Sequence, residues 1–269
     1  MRGAEGEAIL DHAWRTPGVR DLVAIPLYLT ALLAHTPGAT LPTTKEEVLR
    51  LFVTEHERTS EKAEALREAV FGFHPRMLTA IAVETISVAT SAISEMQANA
   101  VVKRVEEELI TEGQISMAPQ PMKILDVLVS HHTLVRSGVG TGVLSFQHQQ
   151  FQEWYASLEV EKLMRAAAAG DQEALHKLRV DLLNMPAWEE AILFACERVS
   201  RAEGTGLQAV AASVLEAIAI DPMLAAEMIY RSSAGVWDEV KEKIITFVER
   251  WHTPGKVDRA FMFMIGTRD

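Results

Sequence analysis

Cysteine is almost absent. Cys196 is the only one in 269 residues, which excludes an intramolecular disulfide and any metal site built on several thiolates. It follows Ile192-Leu193-Phe194-Ala195, the setting of a small buried hydrophobe rather than a reactive thiol. A reducing compartment is therefore the expected home. Long apolar runs are also missing: no segment reaches the roughly 18 residues that a bilayer-crossing helix requires. Glu5 and Glu7 stand where a secretory signal peptide carries a basic region. The expectation is a soluble cytoplasmic chain with no membrane partner.

Positive charge is short as well, with 26 Lys and Arg against 37 Asp and Glu, a net charge of -11. Duplex binding neutralises phosphates with clustered cations, and no basic run occurs, so nucleic acid is not an expected partner. The chain has no Gly-x-x-x-x-Gly-Lys-Ser/Thr and no apolar run closed by acidic metal ligands. By itself it cannot position magnesium and a triphosphate. No Ser/His/Asp set or carboxylate pair stands out from ordinary surface residues, so no stand-alone enzyme is expected.

What is present is material for a large helical core, with 48% apolar and 23% charged residues. A short helix is predicted from about 4 to 15, ended by Thr16-Pro17-Gly18. A second, apolar nearly all round, is predicted over 27–35 with Pro26 at its first turn. Thr43 or Thr44 is a plausible N-cap, with Glu46 and Glu47 in the first turn of a helix through Val48, Leu51 and Phe52. Residues 55–67 read as a solvated face or loop.

From His74-Pro75 a helix carries Met77, Leu78, Ile81, Ala82 and Ile86. A second covers Ala98 to Thr111, with Val101, Val102, Val105, Leu109 and Ile110 inward and Lys103, Arg104, Glu106, Glu107 and Glu108 toward water. A third holds Met122, Ile124, Leu125, Val127 and Leu128. Two short strands, 133–136 and 143–146, flank Ser137-Gly138-Val139-Gly140-Thr141-Gly142. That turn leads into a strand and lacks the Lys-Ser/Thr pair of a phosphate cradle, so it reads as a wing turn. Three helices followed by a hairpin form a winged-helix pattern.

His131-His132 is read as a helix terminus. Neighbouring side chains point to different sides, and no third ligand lies at a helical or hairpin spacing, so no metal is expected. Beyond Gly170 the pattern is helix after helix, at about 171–179, 187–202, 206–219, 221–231 and 235–251. Trp188-Glu189-Glu190-Ala191 is echoed by Trp237-Asp238-Glu239-Val240, 49 residues on. That spacing is close to the two-helix period of HEAT-like arrays. Phe261-Met262-Phe263-Met264-Ile265 is an apolar stripe, uncovered unless it packs back or meets a further segment.

The chain turns a corner at Ser145-Phe146-Gln147-His148-Gln149-Gln150-Phe151-Gln152-Glu153-Trp154-Tyr155-Ala156. Strand alternation gives way there to helical spacing, with His148 on the first turn. Taken alone, such a histidine is more often a satisfied structural residue. The run resembles the Phe-x-His-x-x-Phe-Gln-Glu-Tyr-x-Ala phrase that ends the winged-helix domain of NACHT-type STAND NTPases. Trp154-Tyr155 departs from it mildly. Upstream, Ile25-Pro26-Leu27-Tyr28-Leu29-Thr30-Ala31-Leu32-Leu33 and Leu41-Pro42-Thr43-Thr44 look like the helical domain that follows the nucleotide-binding domain in those proteins, with Ile25 where Asn or Thr is common.

The resemblance covers residues of about 8–165. It implies a mainly α chain: a small helical domain over 1–73, a winged-helix domain with a short β-hairpin over 74–165, and HEAT-like helical repeats over 166–269. It implies a regulatory and sensor portion of a signalling, defence-type ATPase whose nucleotide-binding domain lies N-terminal to this stretch. Pro26 would pack on the adenine, and His148 would bond the β-phosphate of ADP. ADP or ATP with Mg would bind only together with that domain. Homo-oligomerisation would follow activation, and the C-terminal helices would meet a protein ligand. A winged-helix transcriptional regulator is the alternative with nucleic acid, but Met122–His132 carries only Lys123 with Asp126. A non-enzymatic helical scaffold is the other.

Overall fold

The computed structural model describes residues 3–15, 42–57, 60–138, 142–250, 262–263 and 265–267. The helix expected over 27–35, and Pro26 with it, lie outside the described residues. The described chain is mainly helical with one small antiparallel sheet. It divides into two compact units, one of residues 1–85 and 90–152, the other of residues 86–89 and 153–269. None of its helices is long and apolar enough to cross a membrane.

In the first unit, α1 spans Gly3–Arg15 and α2 spans Lys45–Glu57. The expected cap forms: Thr44 Oγ1 accepts from the Glu47 backbone N–H at 3.2 Å, and Glu47 turns back to accept from the Thr43 N–H at 2.7 Å. Residues 55–67, expected as a solvated face or loop, instead complete α2 and form most of α3, Ser60–Val70. Leu66 and Val70, four apart, are both buried, enough of a stripe to seat the helix on its neighbours despite its charge. α3 stops at Phe71-Gly72, both at positive φ.

Next come α4, His74–Ser87, strand β1, Ala92–Ser94, and α5, Glu95–Thr111. Ser94 and Gln97 make a reciprocal capping box at the start of α5. α6, Pro121–His131, leads to β2, Leu134–Ser137, and β3, Val143–Phe146. β3 lies between the other two strands and is antiparallel to both, with Ile93 and Arg136 opposite Leu144. The strand β1 was not expected: three residues are too few to show a period. Met77, Leu78, Ile81, Val101, Val102, Val105, Leu109, Ile124, Leu125 and Leu128 fill the core as their spacing predicts.

Two α5 positions are corrected. Glu106, expected in water, is 1% exposed, and Ile110, expected inside, is 41% exposed. Residues 102, 105, 106 and 109 span an arc of about 100° on one helical face, and 110 falls about 40° beyond its edge at Glu106. Position outweighs chemistry here, and burial raises the Glu106 carboxyl above its ordinary range with some help from Glu107. At the wing, the Glu95 N–H bonds the Gly142 carbonyl at 2.9 Å. Arg136 pairs with both Glu95 and Asp126 at 2.7 Å. A Cβ at position 142 would fall 2.2 Å from Glu95 Oε2, so only glycine fits without moving that carboxylate.

The long helix α7, Gln149–Ala168, continues into the second unit. It is followed by α8, Gln172–Lys177, capped by Asp171, and then a π turn over Leu178–Leu182. After a 3₁₀ turn at Pro186–Trp188 come α9, Glu189–Val199, α10, Gly206–Ala217, α11, Pro222–Arg231, and α12, Ala234–Glu249. α9 packs on α10 and α11, and α10 packs on α11 and α12. Each helix thus meets both the next and the next but one.

The echoed tryptophans occupy different places. Trp188 closes the 3₁₀ turn and is buried, whereas Trp237 sits a turn inside α12 and is half-buried. Of the C-terminal apolar stripe, Phe263 is fully buried while Met262 and Ile265 are exposed. A Cβ on Gly266 would be 3.0 Å from Ala226, so this short segment packs back onto α11.

A polar network holds α9 to its neighbours. Arg198 donates to Glu161 at 2.7 Å and to the Ser157 carbonyl at 2.9 Å. Arg231, on α11, pairs with the buried Glu197 and lies 3.4 Å from Glu190, its guanidinium 5.7 Å from the centre of the Phe194 ring. Cys196 is buried as expected, and that burial pushes its thiol up to about 12.

Candidate functional site

Among the described residues, two places besides the α9 network concentrate polar groups. One is the corner that carries His148. The other joins three helix ends and was not visible in the sequence.

At the corner, Gln147 extends the sheet hydrogen bonds by one more residue. Its N–H donates to the Thr133 carbonyl at 2.7 Å, and its side-chain amide donates to the His132 carbonyl at 3.0 Å. Three residues into the helix, Phe151 is fully buried with its ring 5.2 Å from Phe52. Gln152, 3% exposed, donates to Thr85 Oγ1 and to the Thr90 carbonyl, both at 2.9 Å. The conspicuous polar letters of the phrase are thus structural: Gln147 and Gln152 terminate loops whose carbonyls would otherwise go unbonded.

His148 differs from these neighbours. Its backbone carbonyl accepts from the Phe151 N–H at 3.0 Å, while its ring is exposed, 6.1 Å from the Phe151 ring. An exposed imidazole on a backbone pinned from both sides can meet a ligand with little ordering cost. Pro26, the other residue expected to touch nucleotide, lies outside the described residues.

The second place is assembled from Glu57, the last residue of α2, His74, the first of α4, and His132, the residue after α6. Both imidazoles point Nε2 at the same oxygen. His74 Nε2 is 2.9 Å and His132 Nε2 2.8 Å from Glu57 Oε1. The two rings lie 5.3 Å apart between centroids. The His132 side chain is fully buried, that of His74 is 11% exposed, and Glu57 forms the rim at 27%. His132 Nδ1 is 3.2 Å from Thr133 Oγ1, while His74 Nδ1 is buried with no partner.

The electrostatics favour a carboxylate and a neutral ring. Burial alone would raise the Glu57 carboxyl, but hydrogen bonds from His132 and His74, together with their charge, bring it down to about 2. Burial pushes the His132 imidazole below its ordinary value, and the bond and charge of Glu57 offset this only in part. A carboxylate at the C-terminal end of α2 faces the negative end of the helix dipole, so the two imidazole N–H groups also offset an otherwise unfavourable placement.

Local spacing in the sequence offers His131-His132 no third partner. The fold supplies two from 58 and 75 positions away, for His132 alone. No local signal could have found them. His131 takes no part in the cluster. No protein-family model matches the chain, and no curated protein does.

Proposed function

We propose that this chain is the regulatory and sensor portion of a NACHT-type STAND ATPase. It would act with an N-terminal nucleotide-binding domain and have no catalysis of its own. The observation that carries the reading is the setting of His148: its ring is exposed, while the side chains of Gln147 and Gln152 on either side of it are spent on holding the backbone still. Such a residue is suited to reach a ligand on another domain.

The element order supports a winged helix in the first unit. Helix α4, strand β1, helices α5 and α6 and the hairpin β2–β3 follow one another, with β3 central in the sheet. The staggered packing of α9 to α12 supports a HEAT-like array in the second, since a solenoid buries each helix pair against the next. In the resting state His148 donates to the β-phosphate of ADP while Pro26 packs on the adenine. Exchange to ATP with Mg releases the first contact and biases the protein toward an open, self-associating form. The C-terminal helices carry the protein ligand that triggers or represses the change.

DNA binding is disfavoured on two counts. The helix before the hairpin, α6, offers Lys123 beside Asp126, and Asp126 itself holds Arg136. The net charge of -11 opposes a phosphate backbone.

The test uses the protein expressed from its native gene. Bound ADP is quantified after denaturation, and its release is followed after substitution of His148→Leu. A charge-assisted hydrogen bond contributes about 1.5–3 kcal/mol, so ADP release should quicken roughly tenfold to a hundredfold. Unchanged ADP retention would remove His148 from the switch. A native protein without nucleotide would leave a helical scaffold in its place.

A further inference from the structure

We propose that Glu57, His74 and His132 form a binding site for one divalent transition-metal ion, with zinc the first candidate. The site stands apart from the nucleotide reading, sharing no ligand with it. Three donor atoms, one from each of three helix ends, lie within 4.8 Å of one another. Two imidazole nitrogens and a carboxylate oxygen are the donor set of open zinc sites, in which a water completes four-coordination.

The distances fit an ion once Glu57 backs away and the two imidazole nitrogens, within 4.8 Å of each other, close by up to roughly 1.4 Å. With zinc–ligand bonds of about 2.0–2.2 Å, neighbouring donors of a tetrahedral ion stand roughly 3.4 Å apart. The two measured Oε1–Nε2 separations, 2.9 and 2.8 Å, therefore need to open by about half an ångström. Glu57 supplies that movement most easily, because its side chain is the most exposed of the three, at 27% against 11% for His74 and none for His132. The exposed rim also gives the ion its path in and leaves room for the water. Softer thiolate-seeking ions are disfavoured by the absence of sulfur donors. Calcium and magnesium are disfavoured because a single carboxylate oxygen is too few for them.

The second shell suits one tautomer. A metal on His132 Nε2 requires the proton on Nδ1, and Thr133 Oγ1 lies 3.2 Å from that nitrogen to receive it. Thr133 is itself anchored, its carbonyl accepting from Gln147 at 2.7 Å. The bound ion would clip the end of α2 to the start of α4 and the end of α6. These segments lie 17 and 75 residues apart along the chain, counted from Glu57.

The experiment takes the 269-residue chain, strips it with a chelator and titrates it with Co²⁺. Visible absorption reports coordination, and Zn²⁺ is then added in competition. The expected result is one equivalent of Co²⁺ per chain, with the strong d–d bands of a four-coordinate ion, displaced by Zn²⁺. Glu57→Gln and His74→Gln should each weaken binding by at least ~10-fold, the scale already seen for second-shell losses. His131→Gln, one residue from the cluster and outside it, should leave binding unchanged. Circular dichroism checks that each variant keeps its helices. Should both cluster variants unfold, X-ray absorption on the loaded wild-type chain decides by requiring two imidazoles in the first shell. Absence of stoichiometric uptake overturns the proposal. So does uptake that both cluster variants retain within ~10-fold, or a first shell without two imidazoles.

Discussion

Replacing Arg231 with methionine tests how the second unit is held together. The guanidinium is 10% exposed, pairs with Glu197, which is 3% exposed, and lies near Glu190. It also sits 5.7 Å above the Phe194 ring. Methionine keeps much of the stem volume and removes the charge, leaving a buried carboxylate without its guanidinium. Breaking a buried pair from one side costs about 3–5 kcal/mol, and loss of the ring contact adds about 0.5–2 kcal/mol. A destabilisation on the order of 4 kcal/mol is expected. The assay is native-state hydrogen exchange on peptides from α9 and α11, which reports this unit without assuming that the whole chain unfolds in one step. The double variant Glu197→Leu with Arg231→Met removes both charges and should recover most of the loss, since an apolar pair of similar size replaces a buried ion pair at little cost. A single-variant loss below ~1 kcal/mol, or a double variant no better than the single, would refute the reasoning.

Acid should weaken the first unit in two stages. Glu57 has a folded value of about 2 against an ordinary 4.5, so its contribution, roughly 3 kcal/mol, is complete above pH 4.5 and lost as the pH falls toward 2. His132 is also depressed: the unfolded chain takes up its proton first, so that loss begins as the pH drops below the ordinary 6.5. Glu106 is shifted upward and acts oppositely, favouring the fold at low pH. Urea midpoints against pH should show both stages, with the lower one missing in Glu57→Gln; an identical slope in that variant would contradict the assignment. Cys196, buried with its thiol pushed up to about 12, should resist a thiol-specific disulfide reagent in the native protein and react on unfolding, whereas prompt native labelling would show the site to be open. Ala89 holds φ at 52°, and Ala89→Gly should raise stability by about 1 kcal/mol through relief of that strain; a lower melting temperature would argue against it.

The sequence was most informative where one face of a helix had to be apolar. Met77 to Ile86, Ala98 to Leu109 and Ile124 to Leu128 declare their helices because burial selects every third or fourth residue. The same rule misleads where a residue's type is read in place of its position, as Glu106 and Ile110 demonstrate. Residues 60–70 were obscured because two buried side chains, Leu66 and Val70, were enough to seat a helix covered in charge. Of the two candidate sites, the His148 corner was legible because its residues are consecutive. The Glu57–His74–His132 cluster was not, since it depends on three helix ends meeting. That is a property of the packing between elements and not of any one of them.

Gly142 carries a consequence that reaches across related chains. Its missing Cβ leaves the space that the Glu95 carboxylate occupies while holding Arg136. Drift at 142 is therefore not independent: a side chain there must push the flexible Glu95 carboxylate out of its place beside Arg136, or meet a shorter residue at 95. Arg136 would then rely on Asp126 alone. Among homologous sequences, positions 142, 95 and 136 should change as a set. A lineage that loses the glycine should be found to have lost the Glu95–Arg136 pair, by a change at 95 or by a swung carboxylate.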